Sequence, residues 1–211
     1  MSTSAHKAPV FFISHGAPTF AIEPGVLGPS LGALGKRLSG VKAVLVVSPH
    51  WQTRDVKVMT TPVPETVHDF GGFPSALYDL NYPAAGQPQL ATEVGRVLAQ
   101  LREKGVMIVA SGSMTHNLYE FRQSGAASEA YAVEFTHWVR QAVTGNATQA
   151  VVDYRQLAPH AQRAHPTEEH FLPLLVAMGA HGSDEDTHVV DSGGVAHGVL
   201  SMESYAWGLP A

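Results

Sequence analysis

Three short polar motifs place a histidine directly behind an apolar run. His15 stands in HGAP (15–18) after VFFIS, His50 in PHW (49–51) after AVLVVS, and His116 in GSMTHN (112–117) after VMIVAS. A fourth, His170, closes HPTEEH (165–170), which sets two histidines and two glutamates at the mouth of the apolar stretch FLPLLVAMGA. Imidazoles, alone or with a carboxylate, are ligands for zinc, iron(II) and other first-row divalent ions, and such sites leave coordination positions open for chemistry. A further imidazole beside the ion can serve as a general base. Taken singly, each histidine is more often a hydrogen-bonded loop residue than a ligand, and it is the convergence of three that raises a metal site to an equal reading. Glu168 and Glu169 suit the positive end of a helix dipole more readily than a metal. The pattern therefore leaves two readings open, a metal centre and a set of loop histidines.

What decides between them is whether the chain brings the motifs together. Val10–Ser14, Ala43–Ser48 and Val106–Ser111 are nearly continuous apolar runs, which suits strands covered on both faces of a parallel sheet. Val56–Thr60 is a fourth candidate strand, and Val195–Met202 a late one. Apolar spacing predicts helices over 26–38, 88–104, 129–143 and 171–178, the second stopped by Gly105. Thr167 is a candidate N-cap, although Pro173 moves the regular helix towards His170. Strands alternating with helices predict an α/β fold, a sandwich with a central largely parallel or mixed sheet flanked by helices. Residues 1–211 are expected to form a single domain. In such a sheet ligands bind at the carboxyl ends of the strands, where His15, His50 and His116 would converge.

The segment HDFGGFPSALYDLNYPAAG (68–86) sets Phe70, Phe73, Tyr78 and Tyr82 among glycines and prolines. It reads either as a packed surface loop or as the wall of a site for a flat aromatic ligand. Composition narrows the partners. Hydrophobic residues make up 45% of 211, enough for one substantial core. The net charge of −5, without a block of like charges, provides no footprint for nucleic acid or an anionic membrane. No run approaches the about 18–20 apolar residues of a membrane span. No cysteine is present, so neither a disulfide framework nor a thiol nucleophile is available, and a cytoplasmic location is expected.

Through ISHGAP, VVSPHW, VHDFGGFPSALYDLNYPAAG, ASGSMTHNL, HPTEEHFLPLLVAMGA and LSMESYAWG, in that order, the sequence resembles the class III extradiol ring-cleavage dioxygenases. Within them it is most similar to the 4,5-DOPA extradiol branch. The resemblance implies a non-haem iron(II) ion, with zinc also found in this branch, held by His15, His50 and His170. Glu169 is the alternative ligand. It implies that His116 is the acid–base catalyst and that the ring of a DOPA-like catechol is opened next to its diol with O2. His68, Phe73, Tyr78 and Asn117 are the expected substrate-binding residues.

The sequence departs from the family pattern at one place. Members carry a further stretch between the YPAAG motif and the helix ending LREKG, with an Asp-His-Gly motif, and no Asp-His-Gly occurs here. A sheet short of that element is expected to expose an apolar edge and to favour a homodimer. Two other functions fit the same ligands: a metal-binding protein with lost or altered catalysis, and a zinc-dependent hydrolase with His116 as base.

Overall fold

The computed structural model describes residues 7–54, 58–59, 61–86, 98–122, 125–182, 184–191 and 194–210. Among these, a five-stranded sheet has the order β2-β3-β1-β7-β4. Its strands are β1 (Val10–Ser14), β2 (Ala43–Val47), β3 (Val106–Gly112), β4 (His188–Asp191) and β7 (Ser204–Trp207). β2, β3 and β1 run parallel, with Ile108 opposite both Leu45 and Val10. β7 lies antiparallel on β1, and β4 antiparallel on β7. The sheet is thus mixed, as the second of the two expected forms.

The helices are α1 (Leu27–Arg37), α2 (Leu98–Glu103), α3 (Ala130–Thr144), α4 (Thr148–Val152), α5 (Tyr154–Leu157), α6 (Ala161–Ala164) and α7 (Leu172–Ala180). α3 follows its apolar spacing, burying Tyr131, Phe135, Val139 and Val143 along one stripe. α7 packs on β3 and β1. Their side chains merge in one core around Phe12, Ile108, Phe135, Phe171 and Leu174, all fully buried. Burying each such side chain contributes about 1.5–3 kcal/mol. No helix among the described residues is long and apolar enough to cross a membrane.

Two expectations fall largely outside the described residues, and several others are corrected. Of the helix expected over 88–104, only α2 falls within the described residues, and the candidate strand Val56–Thr60 lies mostly outside them. Val195–Met202 is not one strand. It folds back as a small hairpin of β5 (Val195–Ala196) and β6 (Leu200–Ser201), because His197 and Gly198 both take positive φ (53° and 76°) and reverse the chain. Pro173 sits in the first turn of α7, where its missing N–H costs nothing. Thr167 does not cap that helix; its hydroxyl donates to Glu169 instead. β2 is not covered on both faces. It is the sheet edge among the described strands, with Val44 49% and Val46 57% exposed.

Candidate metal centre

The parallel trio β2-β3-β1 brings three carboxyl ends side by side, and each delivers its histidine there. His15 follows β1 at once, and its N–H donates to Gly112 O at the end of β3 (2.9 Å). His50 lies three residues beyond β2, and His116 four beyond β3. His170 arrives from the other side, just before α7, its carbonyl accepting from Ser113 N–H (2.9 Å). That approach needs a bare backbone: a Cβ on Gly112 would stand 2.4 Å from His170 O. Ser14 ties the floor together. Its hydroxyl accepts from Met114 N–H (3.0 Å) and donates to Glu203 O (2.7 Å).

The ring centroids of His15, His50 and His170 form a nearly equilateral triangle with sides of 5.3, 5.4 and 5.5 Å. One nitrogen from each falls within 4.8 Å of the others. Nε2 of His15 and Nε2 of His50 are 3.5 Å apart. Two nitrogens bound at about 2.1 Å with a tetrahedral angle stand about 3.4 Å apart, so this spacing matches the edge of a metal site. The opposite ring atoms face outward onto partners. Nδ1 of His50 meets Asp69 Oδ2 (2.6 Å), Nδ1 of His15 the Ser111 hydroxyl (2.9 Å), and Nδ1 of His170 a Glu169 carboxylate oxygen (3.3 Å). An outer partner on Nδ1 fixes the tautomer and leaves Nε2 as the inward donor. Three imidazoles with such support fit zinc or iron(II).

The electrostatics agree. Burial, and after it the neighbouring His170, His50 and His116, hold the His15 imidazole down at about 3. Burial and His170 lower His116 to about 4. His170 is also lowered, mainly by burial, with the Glu169 hydrogen bond opposing. All three are therefore neutral near pH 7, the form that ligates a metal or accepts a proton. The His116 ring lies flat on that of His170, centroids 3.5 Å apart and 9° from parallel. His116, Glu169 and His170 form a second group of potential ligand atoms within 4.8 Å. Glu169 spends one oxygen on Thr167 (2.7 Å) and on the outer nitrogen of His170, which makes it an orienting group for that ring.

A cavity of about 660 Å³ opens over the four histidines, with Phe73 in its wall beside Phe20, Phe70, Leu118 and Phe121. His68 and Tyr78 stand behind Phe70 instead of in the wall, their rings 5.8 and 5.2 Å from it. Nε2–H of His68 donates to Leu80 O (3.1 Å). Asn117 is not brought to the cavity. Its buried amide accepts from Tyr119 N–H (3.2 Å), folding its own loop, and donates to Arg163 O in α6 (2.8 Å), tying that loop to the helix.

Sequence reasoning missed the outer partners Asp69 and Ser111 and the wall residues Phe20, Leu118 and Phe121. It also missed His165, fully buried against Phe135 and Phe171, whose Nε2–H donates to Met114 O (2.9 Å). That bond, with His116 N–H to Ala164 O (2.8 Å), clamps the loop carrying His116 to the segment carrying His170. Only the HDFGG motif itself signalled Asp69, since nothing periodic links it to His50.

Residues 91–204 match the family of the catalytic LigB subunit of aromatic ring-opening dioxygenases. The chain is 31% identical to a 4,5-DOPA dioxygenase extradiol of Escherichia coli K12, over 95% of each chain. It is 29% identical to the enzyme of the same name from Beta vulgaris, over 92% of this chain and 94% of that one. The first alignment spans 261 positions against the 211 residues here, so that relative carries a stretch without a counterpart in this chain. A crystal structure of an uncharacterized protein from Escherichia coli K12 superposes with a TM-score of 0.76 at 25% identity, over 95% of this chain and 99% of the other.

Proposed function

The chain belongs to the family of the catalytic LigB subunit of aromatic ring-opening dioxygenases, and on that premise we propose that it is a non-haem iron(II)-dependent extradiol dioxygenase, one catalytic domain that opens a catechol-type ring with O2. The observation that carries the reading is the triangle of His15, His50 and His170, each with its outer nitrogen tied down. These three residues would hold the ion, by their inward ring nitrogens. Bound iron(II) supplies the redox chemistry that O2 needs, which zinc cannot, having no second accessible oxidation state.

The chain's own residues do the rest. Asp69, Ser111 and Glu169 hold the three rings at fixed angles, so little reorganisation accompanies binding. His116, neutral at pH 7 and fixed against the His170 ring, is placed to take a proton from a catechol hydroxyl and return it later in the cycle. Phe70 and Phe73 provide an apolar wall for a flat ring and reduce water access to it. The test is oxygen uptake by protein reconstituted anaerobically with iron(II), across a panel of catechols, with the yellow absorbance of a ring-opened product recorded in parallel. Uptake with every catechol tested at the level of a protein-free control would refute the proposal. The stretch missing relative to the Escherichia coli enzyme favours a second reading, a metal-binding protein without turnover. It predicts stoichiometric iron binding in the same experiment and no uptake.

A further inference from the structure

The cavity divides by chemistry. Among the described residues its polar lining is His15, His50, His116, His170 and Asp69, and Asp69 is engaged by His50. Beyond them the wall is apolar, with Pro18, Phe20, Ala21, Leu118 and Phe121 among its members. No lysine or arginine is among the described residues that line it. Two described arginines, one next to Phe121 in the sequence and one bound to its neighbour Glu120, are committed elsewhere: Arg122 to Glu129 (2.6 Å) and Arg163 to Glu120 (2.6 Å). The volume, about 660 Å³, lies in the range that encloses a drug-sized ligand, so a bare catechol ring leaves space beside it.

The apolar wall is also held in shape. Phe121 stacks on His197, centroids 4.3 Å apart and 22° from parallel. His197 keeps a left-handed backbone (φ 53°), uncommon for a residue with a side chain. Its Nδ1–H donates to Arg122 O (3.1 Å), and Arg122 N–H donates to His197 O (3.1 Å). A surface fixed before binding needs no ordering when an apolar group settles on it.

We propose that the substrate is a catechol bearing an apolar substituent, an alkyl or aryl group seated on the wall of Phe20, Leu118 and Phe121, and not one bearing a carboxylate or ammonium group. The inference rests on the catechol reading above. A charged substituent would give up water on this wall for no partner among the described residues, whereas each buried methylene tightens binding about fourfold. Three added methylenes would bring about sixtyfold at full burial. Because Leu118 and Phe121 remain 55% and 39% exposed, about tenfold is expected.

The experiment is calorimetric titration of the iron(II)-loaded protein under anaerobic conditions, where binding is read without turnover. The ligands are 4-methylcatechol, 4-butylcatechol and 3-(3,4-dihydroxyphenyl)propionate, the last matching the butyl compound in length but ending in a carboxylate. The butyl compound is expected to bind about tenfold tighter than the methyl one, and the propionate weaker than either. Leu118→Arg, a change at an exposed position, is expected to improve the propionate and weaken the butyl compound. Propionate binding as tight as butylcatechol in the unaltered protein would overturn the inference and leave the dioxygenase reading standing. The expected order here, with no oxygen uptake from the same catechols in the aerobic assay proposed above, would uphold the inference about the cavity and sink the catalytic reading. Failure to bind any of the three would overturn both.

Discussion

Asp69→Asn isolates the contribution of an outer partner to the metal centre. The Nδ1 atom of His50 lies 2.6 Å from Asp69 Oδ2, a charge-assisted hydrogen bond that holds the ring on the triangle. Asparagine keeps the size and an acceptor oxygen but removes the charge. Loss of such a partner generally weakens metal affinity about 10–100-fold. Both side chains are nearly half exposed, 49% for His50 and 46% for Asp69, so solvent screens the charge and the low end applies. Zinc affinity should therefore fall about tenfold, or about 1.4 kcal/mol. Ser111→Ala, which removes a neutral partner of His15, should cost less. The assay is competition for zinc against a chromophoric chelator at pH 7.5, with thermal melting of the apo proteins to show that the fold is unchanged. Zinc affinity in Asp69→Asn within twofold of the parent, with the apo fold intact, would refute the assignment of Asp69 as support for a metal ligand.

Other perturbations follow from the same geometry. His116→Ala should abolish most ring opening, by about 10²–10⁴-fold in turnover, while zinc affinity measured by the same competition changes only a few-fold. Gly112→Ala would drive a Cβ onto His170 O and towards Phe12, and should lower stability by about 1–3 kcal/mol, read from urea denaturation, together with weaker zinc binding. His165 is neutral in the fold because burial lowers it to about 3, against 6.5 when unfolded, so the unfolded chain binds more protons between those values. Stability should fall as pH drops below 6.5, by up to about 1.4 kcal/mol per unit from this group, until about pH 3. His165→Gln should flatten that slope in urea titrations at pH 7.5, 6 and 5, and equal slopes in the two proteins would disprove the contribution.

Much of the site could be read along the chain because its parts are local. A continuous apolar run marks a parallel strand, so β1 and β3, and β2 although it lies at the edge, declared themselves, and each carried its histidine as the next polar element. Parallel neighbours place like ends together, which was enough to bring His15, His50 and His116 to one edge. The motif HPTEEH marked His170, although nothing local showed that His165 in the same motif turns into the core.

What tertiary structure decided is what depends on contacts between distant segments. β4, β7 and the short helices α4 to α6 were missed, because elements of four or five residues carry too few apolar positions for a period to show. β7 joins the sheet only by pairing with β1, nearly two hundred residues earlier in the chain. The expected wall residues separated for a similar reason. Phe73 faces the cavity, His68 and Tyr78 back it through Phe70, and Asn117 turns to Tyr119 in its own loop and to Arg163 of α6. The sequence by itself determined which side chains can hold a metal and that strand ends would gather them. Only the folded chain decided which nitrogen faces inward, which partners hold it there, and that the rest of the cavity is apolar, since hydrogen-bond geometry and burial are properties of neighbours in space.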